Sequence, residues 1–240
     1  KVKNQFNNKV QKVAYSYLLL YNSLYKVKNK RTKKNIEEGV REINQITKTI
    51  EYYDNMAKNF VEDTVSVDFK EIQDKFLKLL KEGDSVLDFG CGSGRDTKYF
   101  IEKNMKVDAI DGSVELCKIA QKYTGINVRP MLFQQLDEEE KYDGIWACSS
   151  ILHLPKKELK SVFEKMLKAL KKGGIIYTSF KDGTFEGERN GRYFTDFTIQ
   201  DFRKFVSNLE ELSIEEYWIT NDVRQGRGDE KWLNIILRKI

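Results

Sequence analysis

The chain has 240 residues, with 42 Lys or Arg against 37 Asp or Glu for a net charge of +5 at pH 7, three cysteines and one histidine. That length allows one domain with a full core plus an appendage, and no apolar run is long enough to cross a bilayer, so a protein off the membrane is expected. Three cysteines without paired spacing, no CxxC and no signal peptide argue against a disulfide framework or a zinc site and fit the cytoplasm, and a lone histidine leaves no cluster for a metal, so none is expected.

Residues 1–34 hold ten Lys or Arg and no acidic residue, so the remainder of the chain is net acidic. Phe6, Val10, Val13, Tyr17, Leu20, Tyr21 and Leu24 recur at steps of three and four, which predicts an amphipathic helix. Beyond the charged joint KVKNKRTKKN, a second helix carries Ile36, Val40, Ile43, Ile46 and Ile50 on one face, with Asn35 and Glu38 spaced as a capping pair. Residues 1–50 thus read as a basic helical extension. It could bind nucleic acid through residues 1–34, since neutralisation of phosphates by Lys and Arg dominates such binding. Alternatively it packs as a helical hairpin on residues 51–240 or on a second copy in a homo-oligomer. A chain that begins without Met also leaves fusion to a longer polypeptide open.

The segment SVLDFGCGSGRD, residues 85–96, joins an apolar strand at Val86, Leu87 and Phe89 to a helix near Asp96 with Tyr99 and Phe100 inward. Gly90, Gly92 and Gly94 permit a tight turn and close approach of a ligand to bare main chain, where amides and the positive helix end face it. The spacing is GxGxG rather than the GxGxxG of dinucleotide enzymes, and alone it also fits a structural strand-to-helix joint. KVDAIDGS, residues 106–113, adds a second strand ending in Asp111. An acidic side chain there, in a βαβ unit, accepts hydrogen bonds from ribose hydroxyls. KYDGIWACSSILHLP, residues 141–155, gives a further strand tip at 145–147, a polar loop and a helix from Lys156. That helix is predicted to run to residue 171 and stop at Gly173 and Gly174. A strand at 175–180, a helix at 198–208 and strands at 212–219 and 233–238 follow. The alternation predicts an α/β fold with a doubly wound sheet.

In these stretches, with LKKGGIIYTSFK, GRYFTDFTIQDF and RGDEKWLNIILRK, the chain resembles the class I S-adenosylmethionine-dependent methyltransferases of the free-standing type that includes the tellurite-resistance methyltransferases. The resemblance implies a methyltransferase domain over residues 51–240 with a Rossmann-like, seven-stranded, mostly parallel sheet and one antiparallel strand, and S-adenosylmethionine as cofactor. It places Asp88, Gly90, Gly92 and Gly94 around the methionine portion, with Cys91 and Arg95 on the same turn. Asp111 falls at the ribose, followed by Gly112 and Ser113. Phe133, Gln134 and Gln135 lie beside the adenine, and Ala147 and Cys148 along the methionine side. Many relatives carry an acidic side chain near Leu132 for the adenine amino group. Here MLFQQL has none, so that contact falls to main chain or a glutamine.

His153 is the candidate general base, because its ordinary pKa is near neutrality, although a structural hydrogen bond would also explain a histidine in this loop. Tyr52, Tyr53 and Phe60 precede the core where family members fold a helix over the cofactor. Tyr53, Arg192 and Tyr193 are candidates for the acceptor side, with packing as the plainer explanation. A methyl group on a sulfonium is already activated, so the protein has mainly to align an acceptor and exclude water. Three functions stay open: methylation of a small molecule, which is the leading reading; methylation of RNA or DNA; and cofactor binding without turnover. CSSILHLP stands where base-amino DNA methyltransferases have DPPY or NPPF, and there is no Pro-Cys nucleophile for cytosine C5.

Overall fold

A computed structural model describes residues 30–224 and 226–240, with main chain only for 30–43. The helix expected over residues 6–24, and most of the basic arm, lie outside the described residues. Helix α1, Lys30–Thr64, is continuous. Asn35 therefore sits inside the helix and does not cap it. The helix also runs unbroken through residue 50, where the extension was expected to end. By that point it is already seated on the domain, with Thr49, Ile50 and Ala57 buried.

Helix α2, Lys70–Leu77, leads into the α/β core. Strand β1, Ser85–Phe89, is followed by α3, Arg95–Glu102; β2, Lys106–Asp111; α4, Val114–Thr124; and β3, Val128–Pro130. Then come β4, Tyr142–Ala147; α5, Lys156–Ala169; and β5, Leu170–Lys181. A hairpin of β6, Glu186–Arg189, and β7, Arg192–Thr195, precedes α6, Ile199–Val206; β8, Leu212–Asn221; and β9, Lys231–Lys239. Seven strands form one sheet in the order β3-β2-β1-β4-β5-β9-β8, while β6 and β7 pair separately. Strands β1 to β5 pair in parallel, and β9 runs antiparallel to both β5 and β8. This is the doubly wound, Rossmann-like seven-stranded sheet with one antiparallel strand that the sequence led one to expect.

Side-chain alternation explains why the sheet is covered on both faces. Leu87, Phe89, Ile145, Ala147, Ile176 and Ile235 enter one core with α5 residues Leu159, Val162 and Phe163. Their neighbours Val86, Trp146, Tyr177 and Ile236 enter the other, with Phe76 and Phe100. Trp146 stacks on Tyr177 at a centroid distance of 4.0 Å, and both polar tips are satisfied, the indole by Asp96 and the phenol by Asn234. Strand β5 starts earlier than expected, at Leu170. Gly173 adopts φ +74° where the pairing of β4 with β5 slips from Tyr142 to Gly144, so the glycines form a bulge within the strand rather than a helix stop. Chain order reverses between β1 and β4, the place where open α/β sheets bind ligands outside the carboxyl ends of their strands.

Candidate active site

A cavity of about 500 Å³ opens at that reversal. Its floor is made of four strand-end turns: Gly90 to Ser93 after β1, Asp111 to Ser113 after β2, Met131 to Gln134 after β3 and Cys148 to Ser150 after β4. Helix α1 crosses above them and contributes Ile46, Ile50, Tyr53 and Phe60 to the lining.

The glycine turn is dictated by its neighbours. Gly90 has φ +95°, and a Cβ there would fall 2.4 Å from Ser150 Cβ. The hydroxyl of Ser150 donates to the Phe89 carbonyl at 2.6 Å, tying the β4 loop beneath the β1 turn. Gly92, at φ +54°, faces the Phe60 ring of α1. Gly94, also left-handed at φ +80°, is a packing glycine: its Cβ would meet Thr124 and Ala120 on α4, and it does not line the cavity.

Asp111 holds the turn together. One oxygen accepts the Gly92 amide at 2.9 Å and the other the Ser113 amide at 2.8 Å. Burial pushes its carboxyl up to about 6, against the pull of those two amides, with the Asp54 carboxylate adding a smaller push upward. Asp54 anchors α1 to the start of α4 by accepting the Ser113 hydroxyl at 2.6 Å. Sequence reasoning missed this residue.

Two expected cofactor contacts lie elsewhere. Asp88 is buried below the turn, takes the Thr97 hydroxyl at 2.6 Å and does not reach the cavity. Burial and the nearby Asp96 carboxylate push it up to about 8. Ala147 is wholly buried against the α5 core, because alternation along β4 turns it away. Arg95 does line the cavity, paired with Asp96 at 2.7 Å and lying 4.4 Å over the Phe69 ring. Cys91 and Cys148 line it as well, and burial raises both thiols, so both stay protonated near neutral pH. Phe133 packs on Phe89 at 4.7 Å. Gln134 lines the cavity but donates its amide to Glu158 at 2.6 Å, and Gln135 caps the Leu132 amide at 2.9 Å.

The second half of the cavity is built by β5, β7 and the β8–β9 turn. Because β9 runs antiparallel, its first residues, Lys231 and Trp232, lie at the same edge of the sheet as Lys181 at the end of β5. Here the charges pair: Lys181 with Glu230, Arg189 with Asp196 at 2.8 Å, and Arg224 with Asp222, which also accepts the Trp232 indole at 3.1 Å. Burial brings Lys181 down to about 8. None of these residues was singled out from the sequence. A signal was nevertheless present, since polar residues directly following an apolar strand occupy the ligand edge.

At the junction of the two halves stands His153. Its Nδ1 lies 2.6 Å from the Tyr193 carbonyl, which can only accept, so Nδ1 carries the proton. Its Nε2 therefore accepts from the Tyr53 hydroxyl at 2.8 Å. Burial holds the imidazole down at about 4. With both nitrogens occupied, His153 presents neither to the cavity, and Tyr53 is the group in front of it. The Tyr53 oxygen also receives Arg192 Nη1 at 3.3 Å. Tyr193 contributes main chain alone, its carbonyl to His153 and its amide to Thr49 at 3.1 Å: alternation along β7 sends Arg192 and Phe194 to the cavity and the Tyr193 hydroxyl to Glu186 at 3.1 Å.

The chain matches the methyltransferase domain family over residues 86–174. It is 28% identical over 177 residues, 70% of this chain and 82% of the relative, to an uncharacterized methyltransferase of Anoxybacillus flavithermus. To (S)-coclaurine N-methyltransferase of Thalictrum flavum subsp. glaucum it is 25% identical over 174 residues, 64% of this chain and 48% of the relative. Among solved structures it resembles the 1,6-didemethyltoxoflavin-N1-methyltransferase of Burkholderia thailandensis with bound S-adenosylhomocysteine. The TM-score is 0.66 and the identity 18%, covering 83% of this chain and 89% of that one. An N-methyltransferase from Bradyrhizobium japonicum, also with S-adenosylhomocysteine, gives a TM-score of 0.58 at 16% identity, covering 78% and 97%.

Proposed function

We propose, from the premise that the chain belongs to the class I S-adenosylmethionine-dependent methyltransferases, that its acceptor is a small molecule seated between Tyr53, Arg192 and Phe194. The observation that carries this reading is continuity. The glycine turn, Asp111 and the Tyr53–His153 pair line one cavity of about 500 Å³, a size suited to small ligands.

The residues present fit the cofactor. Gly90 cannot bear a Cβ, so bare main chain faces the cavity there. Each Asp111 oxygen has a second lone pair free to accept a ribose hydroxyl, beyond the amide it already holds. Phe133 offers a flat apolar wall for the adenine. With Gln134 and Gln135 engaged elsewhere, recognition of the adenine edge falls to main chain. When bound, S-adenosylmethionine supplies a methyl group activated by its sulfonium, which an acceptor lone pair takes by in-line displacement.

Tyr53 donates its only proton to His153, so toward the acceptor it presents a lone pair. That lone pair orients an acceptor N–H or O–H and aims the nucleophilic pair away from the phenol. His153, neutral and pinned by the Tyr193 carbonyl, acts as a positioning residue that fixes this polarity. Incubation with methyl-labelled cofactor and separate pools of metabolite extract, total RNA and DNA tests the reading. Label should enter the metabolite pool; incorporation into RNA or DNA alone would contradict it.

A further inference from the structure

We infer that the acceptor is a small organic acid whose carboxylate binds Arg192. This rests on the small-molecule methyltransferase reading above and narrows it. The other partly buried cations of the cavity are each paired with a carboxylate: Arg95 with Asp96, Arg189 with Asp196, Arg224 with Asp222 and Lys181 with Glu230. Arg192 is the exception. Among the described residues no carboxylate forms an ion pair with it, and its Nε is buried with no hydrogen-bond partner. Only Nη1 is engaged, by the long contact to Tyr53.

A guanidinium partly withdrawn from water without a counter-anion carries a cost, and Arg192, half-buried, is nonetheless held firmly. Its centre lies 4.5 Å from the Tyr52 ring and 5.1 Å from Phe194. These contacts fix the plane of the group, and because Nε is closed off by the protein they leave the Nη1–Nη2 end, beside Tyr53, to other partners. That end is the fork that receives a planar carboxylate through two parallel charge-assisted bonds. The bound carboxylate would lie beside Tyr53, so one end of the acceptor is anchored where the phenol oxygen orients its reacting N–H or O–H.

The probes are benzoate, its neutral isostere benzamide and inorganic phosphate, titrated by ligand-observed NMR into the full chain saturated with S-adenosylhomocysteine. Benzoate should bind at least tenfold more tightly than benzamide and than phosphate. Arg192→Gln should weaken benzoate at least tenfold. Arg192→Lys, which keeps the charge but cannot make the two parallel bonds, should fall between. S-adenosylhomocysteine affinity, measured by calorimetry, should be unchanged in both variants. If Arg192→Gln fails to fold, a loss of benzoate affinity of about threefold or more in Arg192→Lys supports the same conclusion, and a smaller change or none overturns it. Equal binding of benzoate and benzamide, a preference for phosphate, or benzoate binding indifferent to Arg192 would overturn the carboxylate assignment. So would S-adenosylhomocysteine binding without any benzoate binding, which leaves the methyltransferase reading standing. Failure of S-adenosylhomocysteine itself to bind would instead sink that underlying reading.

Discussion

Replacing Asp111 by Asn should separate cofactor affinity from stability. Burial raises the Asp111 carboxyl from an ordinary 3.8 to about 6. A folded-state pKa above the unfolded one means that the folded protein holds its proton more tightly. The group's stabilising contribution is therefore present below pH 3.8 and lost as pH rises through about 6. Above that pH the charged side chain costs at most about 3 kcal/mol, less to the extent that solvent in the cavity screens it. Asn removes the charge but keeps one acceptor for either the Gly92 or the Ser113 amide, giving up one hydrogen bond worth about 1.5 to 3 kcal/mol. The two terms offset, so the ligand-free variant should melt within a few degrees of wild type at pH 7.5. Relative to wild type it should become less stable as the pH is lowered towards 5. Cofactor binding has no such compensation. Loss of one charge-assisted bond to the ribose should weaken S-adenosylhomocysteine by roughly ten- to a hundredfold. Calorimetry and urea melts across pH 5 to 8 read both quantities. Unchanged affinity, or a variant several kcal/mol less stable at pH 7.5, would refute the reasoning.

Gly90→Ala should cost about 2 to 5 kcal/mol in urea melts and abolish cofactor binding, because the added Cβ meets Ser150 at 2.4 Å and φ is +95°. Gly125→Ala, where φ is +81° but nothing lies within 4 Å, should cost only about 1 kcal/mol of backbone strain. The imidazole of His153 is depressed to about 4, so its own contribution to stability should fall as pH drops from 6.5 towards 4, by at most about 3 kcal/mol. His153→Asn lacks this titration, and its stability deficit against wild type should shrink on acidification. Tyr53→Phe should lower kcat by roughly ten- to a hundredfold with S-adenosylhomocysteine affinity intact, and equal losses in both would mean that Tyr53 serves only to close the cavity.

The strands that carry the site were legible because their apolar runs end abruptly in glycine or aspartate. Strand β3 escaped notice since it is three residues long and ends in Pro130, too short to show a period. The β6–β7 hairpin escaped because its strands are charged. Yet Asn190 and Gly191, with φ of +52° and +76°, are the Asn-Gly pair that favours a tight hairpin turn. Within the site, the glycine turn and Asp111 followed from spacing, but spacing does not say which way a strand residue faces. Asp88, Ala147 and the Tyr193 side chain were displaced from their expected places for that reason. The pairing of His153 with Tyr53 joins residues a hundred positions apart and depends on how α1 crosses the sheet, which no local pattern encodes. The acceptor half was harder still, since it requires knowing that β9 inserts antiparallel and brings Lys231 and Trp232 beside the end of β5.

Calorimetric titration of the full chain with S-adenosylhomocysteine, run beside NAD, tests cofactor use most directly. One site per chain should be seen for S-adenosylhomocysteine, with NAD binding far more weakly, since in the proposed reading the GxGxG turn and Asp111 would frame a single nucleoside and the rest of the cavity would receive the acceptor. Comparable affinity for NAD, or no binding of S-adenosylhomocysteine, would contradict methyl transfer as the work of this cavity.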